Sequence, residues 1–240
     1  MIQRIRFATR RAGVDEAAFE AALRGLAALA QAEPPEVRPR RAAVSVVLSE
    51  LVTAPPQHDG ALALWFDDEA HLARFEGVLA GIGGAGAAGE QFGATADVAA
   101  TPVAVVDEVV VRGETWLEQR WADATPKVKH LALALRAEGL TSAELSQRWR
   151  DHAGSARAAG SAGPTPIPEA ARGAAYVQDH PLARVDGDGG YDAISEVWFD
   201  DVAALQQRID WFALNRIGEE PDDLFAASWF LPVREVVVAP

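Results

Sequence analysis

Three residues in the second half of the chain carry side chains suited to proton transfer: His152, Tyr176 and His180. A neutral imidazole can accept or donate a proton near pH 7, so two histidines could move a proton across a substrate. The Tyr176 hydroxyl could stabilise an oxygen that gains negative charge. The alternative roles are structural: a hydrogen bond at a helix end for His152, a turn before Pro181 for His180, and strand packing for Tyr176.

A second set of residues is predicted to surround the substrate, because alternation along strands places them on one face. Trp65 and Trp198 suit stacking on a planar molecule, although a strand tryptophan more often packs in the core. Glu196 and Asp192 could act as a base in an apolar lumen, or could pair with an arginine of the first strand. The predicted substrate-binding residues are Trp65, Trp198, His130, Glu196, Asp192, Arg4, Arg6 and Gln178.

A metal site is a weaker interpretation of the same residues. His130, His152, His180 and Glu196 could form a set of histidines and one carboxylate. No short ligand spacing supports that set, so we expect neither a metal nor an organic cofactor. The chain has no cysteine, which excludes thiolate nucleophiles and zinc sites with sulfur ligands.

A glycine-rich run, Gly81–Gly86, matches the pattern G-x-G-x-x-G of dinucleotide-binding proteins. That pattern binds phosphate only between a strand and a helix. Here the run follows a predicted helix. We therefore interpret it as a connector.

Composition limits the partners. The chain has 240 residues and a formal net charge of −13, which disfavours nucleic acid and anionic membrane surfaces because both need a basic face. No apolar run approaches the roughly 18 residues of a membrane span, and the first residues lack the apolar core of a signal peptide. These features predict a cytoplasmic protein with a small-molecule substrate.

A faint internal repeat organises the chain. The tetrapeptide WFDD occurs at 65–68 and again at 198–201, and each half is predicted to run strand, helix, strand, strand, helix, strand. This order is typical of the ferredoxin-like βαββαβ unit. We therefore predict an α+β fold of two tandem ferredoxin-like repeats, 1–111 and 128–240, joined by a linker at 112–127. Their sheets would pack face to face as one intramolecular α+β barrel, in a monomer with an internal pseudo-dimer or in a homodimer.

Alternation within the strands predicts which residues face the barrel interior. In the strand 130–136, the leucines are expected to meet the helices, which leaves His130 inside with two alanines. Positional matching places Arg4 and Arg6 in the same inner layer. Trp65, Glu196 and Trp198 are also expected inside.

The segment 129–238 resembles an EthD domain of the dimeric α+β barrel superfamily. The likeness consists of a strand ending near a glycine, a helix with Trp-x-x-His, a strand with a tyrosine, and a late Phe-Asp; the matching residues are Trp149, His152, Tyr176, His180, Trp198, Phe199 and Asp200. The first half departs from this pattern. Leu23 and Leu26 stand where Trp149 and His152 stand, and Ser45 and Ser49 replace the tyrosine and second histidine. The resemblance implies a degenerate first copy that serves as the second wall of the site.

Together these observations predict a small-molecule enzyme without an organic cofactor. The resemblance implies that it would cyclise, dehydrate or isomerise a planar polyketide- or lactone-like substrate by acid–base chemistry. A cofactor-free monooxygenase is the nearest alternative. A non-catalytic binding protein for an apolar ligand is the alternative from a different class.

Overall fold

A computed structural model describes residues 1–82, 87–123, 125–182 and 190–240, so part of the glycine-rich run lies outside the described residues. Its strands are β1 (Ile2–Ala8), β2 (Arg41–Val47), β3 (Gly60–Phe66), β4 (Val103–Arg112), β5 (Lys127–Arg136), the two-residue β6 (Ser155–Ala156) and β7 (Thr165–Pro166), β8 (Ala175–Pro181), β9 (Ala193–Phe199) and β10 (Phe225–Ala239). Its α-helices are α1 (Glu16–Gln31), α2 (Glu69–Ile82), α3 (Ala87–Thr95), α4 (Glu114–Ala122), α5 (Ser142–Asp151), α6 (Glu169–Arg172) and α7 (Val202–Leu214).

Eight strands form one closed antiparallel barrel in the order β1-β3-β2-β10-β5-β9-β8-β4, with β4 pairing back to β1. The prediction of two packed ferredoxin-like repeats was wrong. The halves do not present two separate sheets, because β4 pairs with β8 and β2 pairs with β10 through backbone hydrogen bonds. Closure gives every long strand a partner on both sides, which removes the unpaired edges that two separate sheets would leave. The fold is a β-barrel with surrounding helices.

The helix starts follow from local sequence. Asp15 and Asp201 accept hydrogen bonds from backbone N–H groups of the first turns of α1 and α7. Thr141 and Glu144 form a reciprocal capping box at the start of α5. These caps satisfy N–H groups that have no partner inside a helix. Aspartate and threonine are among the residues that are strongly preferred directly before a helix.

The interior of the barrel is apolar towards one end. Ile5 and Phe7 of β1 meet Leu131 and Leu133 of β5 there, together with Ile194 of β9. An eight-stranded barrel has an interior that side chains of this size can fill. The leucines of β5 therefore point inward, opposite to the prediction.

Since neighbouring residues of a strand face opposite sides, the prediction that Arg4, Arg6 and His130 face the interior was wrong. Arg4 pairs with Glu76 of α2 at 3.2 Å, and the Arg6 guanidinium lies 5.9 Å from the centre of the Phe92 ring in α3. His130 packs against α7. All three lie between the barrel and its helices.

The other end of the interior is polar and is covered by α4, which lies in the predicted linker. Trp65, Glu196 and Trp198 lie inside, as predicted, and each is at most 2% exposed. Buried Arg120 of α4 points its guanidinium between the two tryptophan rings, 6.0 Å from Trp65 and 4.6 Å from Trp198. The protein's own cation thus occupies the position that the sequence suggested for a planar substrate.

Within the described ranges, no helix combines the length and the apolar composition that crossing a membrane requires.

Candidate functional site

The three residues predicted to be catalytic lie outside the barrel: Tyr176 and His180 on β8, and His152 at the end of α5. The face of β8 that points towards α5 carries Tyr176, Gln178 and His180, and it is the outer face of the barrel. Gln178 donates hydrogen bonds to the Tyr176 hydroxyl and to the carbonyl of Trp149, both at 3.0 Å. His152 ends α5 and is half-buried.

His180 contacts two side chains of α5, Ser146 and Trp149. A hydrogen bond of 2.8 Å joins its Nδ1 to Ser146 Oγ, and its ring lies 4.8 Å from that of Trp149. Burial, aided by the charge of Arg150, lowers the pKa of His180 to about 4, so the ring is neutral at pH 7. Neither His180 nor His152 borders the cavity that Tyr176 borders. Their catalytic roles stay predictions.

A cavity of about 920 Å³, including the space at its mouth, opens between the barrel and α5, α6 and α7. We call it the arginine cavity. Its floor consists of small residues on the outer faces of β5 and β9, which leave room beneath the helices. The floor residues are Ala132, Ala134, Ala193 and Ser195; aromatic walls come from Trp149, Phe212, Phe225 and Phe230.

Arg208 of α7 is the most buried cation of this cavity, at 6% exposure. Its Nε donates to His130 Nδ1 at 3.0 Å, and one terminal nitrogen donates to the carbonyl of Ala171 at 2.8 Å. Burial lowers its pKa to about 9, a shift that the nearby charge of Arg112 reinforces and Tyr176 opposes. The guanidinium remains charged at pH 7.

Arg112 and Arg172 bring two further guanidinium groups to the same cavity. Arg112 donates to the carbonyls of Arg172 and Gly173, and Arg172 Nε donates to the carbonyl of Ile167 at 2.6 Å. Burial lowers the pKa of Arg112, and repulsion from Arg172 adds to the effect. Arg112 is therefore close enough to repel both Arg172 and Arg208.

None of these three arginines forms an ion pair with a carboxylate in the described part of the chain. The carboxylates on the cavity wall have other partners. Asp222 accepts from the backbone N–H groups of Leu224 and Phe225 at 2.7 Å, and Glu220 accepts from the N–H of Gly160 at 3.2 Å. In the described part of the chain, the hydrogen bonds of these three guanidinium groups thus go to carbonyl oxygens and to a histidine nitrogen, not to carboxylates.

Tyr176 lies on the wall of the same cavity. Burial raises the pKa of its hydroxyl, although the hydrogen bond from Gln178, the charge of Arg208, a hydrogen bond from Trp149 and the charge of Arg112 act in the opposite direction. The hydroxyl is therefore protonated at pH 7. Because its oxygen accepts the bond from Gln178, its proton is available to a molecule in the cavity.

Inside the barrel, the predicted residue Glu196 belongs to a network of buried ion pairs. Lys129 Nζ lies 2.6 Å from Glu196 and 2.5 Å from Glu235, and Arg120 lies 3.3 Å from Glu235. Burial alone would lower the pKa of Lys129, but the two glutamates together raise it. Glu196 thus pairs with a lysine of the neighbouring strand and does not reach the arginine cavity.

Asp192 lies just before β9, where its carboxylate accepts from the backbone N–H of Arg136 at 2.9 Å. The described residues include no group of three or more histidines, aspartates or glutamates placed to hold a metal ion. The histidines and Glu196 considered for a metal set are on different sides of the barrel wall.

No family model matches the chain, and no curated protein sequence matches it. The resemblance to EthD domains stays a prediction from its motif.

Sequence reasoning missed Arg112, Arg172 and Arg208. A signal existed for Arg208, because Leu205, Arg208 and Phe212 follow the three- and four-residue spacing of one helix face, and all three are buried. A charged residue on an apolar helix face points to a buried site. Arg112 had no such signal, since its position depends on the pairing of β4 with β8.

Proposed function

We propose that this protein binds a planar small molecule with an acidic group, a carboxylate or a phosphate, in the arginine cavity. The observation that carries the proposal is the set of three guanidinium groups that have no carboxylate partner among the described residues: Arg112, Arg172 and Arg208. Arg208 is the buried member of this set, whereas Arg112 is half-buried and Arg172 is exposed. Buried charges in proteins are normally paired, because taking an ion out of water is costly. A bound anion would supply the missing partner through charge-assisted hydrogen bonds.

The aromatic walls define the rest of the ligand. Trp149, Phe212 and Phe230 line the cavity together with the alanines of its floor. Aromatic side chains favour offset or edge contacts with another ring. The proposed ligand is therefore planar as well as acidic. Its planarity agrees with the substrate expected from the sequence. Its negative charge differs from the apolar ligand of the non-catalytic alternative.

The test compares 2-naphthoate with the neutral 2-naphthamide by isothermal titration calorimetry. We expect the acid to bind more tightly. Because a hydrogen bond to a charged group contributes about 1.5–3 kcal/mol, Arg208→Met should weaken 2-naphthoate binding by roughly ten- to a hundredfold. Arg112→Met, at the rim, should act in the same direction.

Arg150→Met is the matched control, since Arg150 is exposed on α5 and does not border the cavity. It should bind 2-naphthoate like the unchanged protein. Equal affinity for acid and amide, or equal effects of the Arg208 and Arg150 variants, would contradict the proposal.

Acid–base catalysis of the predicted cyclisation, dehydration or isomerisation type is the second candidate function. Tyr176 favours it, because the hydroxyl can give its proton to a bound ligand while Gln178 and the guanidinium groups of Arg208 and Arg112 stabilise the resulting phenolate. In this proposal Tyr176 gives its proton to the ketone oxygen, solvent water takes the proton from the neighbouring carbon, and the two histidines take no part.

A direct test follows hydrogen–deuterium exchange in 3-benzoylpropionate, an aromatic keto acid, by NMR in D₂O. The protein should accelerate exchange at the carbon next to the ketone, and Tyr176→Phe should lose the acceleration while it still binds the acid. If both proteins leave the exchange rate at its uncatalysed value, catalysis by Tyr176 is wrong and the binding proposal stands.

A further inference from the structure

A second cavity adjoins the arginine cavity on the outer surface of the barrel. It measures about 840 Å³, including its open mouth, and shares Phe212, Ile217 and Phe230 with the first cavity. The segment 51–57 forms its opposite side. We call it the His130 cavity, because His130 lines it and does not line the first.

His130 is the buried polar side chain of this second cavity, at 3% exposure. Its ring lies parallel to Phe230 at 5.3 Å and edge-on to Phe212 at 5.1 Å. These two contacts fix the plane of the imidazole. The hydrogen bond from Arg208 selects the orientation of the ring within that plane.

The tautomer of His130 follows from its hydrogen bond. Nδ1 accepts from Arg208 Nε at 3.0 Å, so the proton of the neutral ring is on Nε2. Burial and the charge of Arg208 both keep the pKa of His130 well below its ordinary value, so the ring stays neutral at pH 7. In the described part of the chain, no residue accepts a hydrogen bond from Nε2.

His130 lines the cavity, so an acceptor bound there can take the hydrogen bond that Nε2–H offers. The remaining side of the cavity is mostly apolar: Val52, Pro55, Pro56 and Trp229 line it. The described lining contains no cation that would hold an acid. Its carboxylate, Glu219, pairs with Arg216 at 2.6 Å.

We infer that the His130 cavity is a second binding site, for a neutral apolar molecule with one hydrogen-bond acceptor, such as an aryl ketone. The acceptor oxygen binds His130 Nε2–H, and the apolar part lies between Trp229 and the prolines. The site does not depend on the proposed acid in the arginine cavity. The two ligands differ in charge, so they can be measured separately.

The experiment titrates 2-acetylnaphthalene and its matched hydrocarbon, 2-ethylnaphthalene, in the presence of saturating 2-naphthoate. The ketone should bind more tightly by roughly threefold to tenfold, the range expected for one neutral hydrogen bond. His130→Phe keeps a flat ring but has no donor, so it should abolish the difference between the two probes. Equal affinity of the unchanged protein for both probes would overturn the inference.

A second pair of variants locates the site without touching the buried histidine. Ala213→Trp places a large ring in the lining of the His130 cavity, whereas Leu214→Trp adds a ring at a neighbouring position of α7 that is 82% exposed. Ala213→Trp should weaken 2-acetylnaphthalene binding at least about tenfold and leave 2-naphthoate binding unchanged, and Leu214→Trp should change neither. Unchanged ketone affinity in Ala213→Trp would also overturn the inference, whatever the result for the acid.

Discussion

At the level of single residues, Asp179 is an ionisable group of the barrel interior whose side chain makes no hydrogen bond to any described residue. It is fully buried, and neither carboxyl oxygen has a hydrogen-bond partner in the described part of the structure. Burial raises the pKa of Asp179 well above its ordinary value, and the charges of Glu196 and Glu108 add to that effect. Asp179 is thus protonated in the folded protein at moderately acidic pH.

This protonation predicts a specific dependence of stability on pH. A carboxyl group whose pKa is higher in the folded chain stabilises the fold fully below its unfolded pKa, about 3.9, and that contribution is lost as the pH rises through the folded pKa. Asp179→Asn removes the contribution. The free energy of unfolding of the variant, relative to the unchanged protein, should therefore increase from pH 5 to pH 8 in urea denaturation.

Asp151→Asn is the control for this prediction, because Asp151 is exposed on α5. The free energy of unfolding of Asp151→Asn should change between pH 5 and pH 8 by the same amount as that of the unchanged protein. The free energy of unfolding of Asp179→Asn, relative to the unchanged protein, is the quantity to follow. If it stays constant or falls as the pH rises, Asp179 is ionised in the folded state.

At the level of elements, Gly60 shows how closely the start of β3 approaches its neighbours. A Cβ at this position would lie 2.6 Å from the carbonyl oxygen of Ser45 in β2 and 3.0 Å from the ring of Phe19 in α1. The backbone oxygen cannot move away without disturbing the pairing of β2 with β3. Gly77 of α2 differs, since a Cβ there would have no neighbouring atom within 4 Å.

Alanine substitutions at these two glycines should act in opposite directions. Gly60→Ala should lower the free energy of unfolding by about 1–3 kcal/mol through overpacking. Gly77→Ala should raise it by roughly 0.5–1 kcal/mol, because alanine favours the helix. Urea denaturation of both variants measures the two effects. If Gly60→Ala were as stable as the unchanged protein, the close approach of β2 and β3 would be wrong.

For the whole molecule, barrel closure joins the two halves through the β4–β8 and β2–β10 pairs. Since each half supplies the edge partners of the other, neither half keeps a complete hydrogen-bonded sheet if its counterpart opens. The halves should therefore unfold as one cooperative unit.

A core substitution in the first half tests this cooperativity. Leu23→Ala, in a side chain fully buried between α1 and the barrel, should cost about 2–5 kcal/mol. Amide hydrogen exchange of β9 in the second half should accelerate by the same factor as that of β3. Leu214→Ala, at an exposed site, should change neither rate. Acceleration confined to β3 would show that the halves open independently.

The sequence by itself determined the strands, the capped helices and one face of several strands, because caps and alternation act over a few residues. The caps at Asp15, Thr141 and Asp201 depend on their own neighbours along the chain, and the inward positions of Trp65 and Trp198 follow from alternation. The tertiary structure decided whether the halves closed into a barrel. It also decided which face of β1 and β5 was inside, since a closed interior takes the larger apolar residues and excludes Arg4, Arg6 and His130. The arginine cavity exists only because β4, α6 and α7, distant along the chain, bring three guanidinium groups together, and no local pattern encodes that meeting.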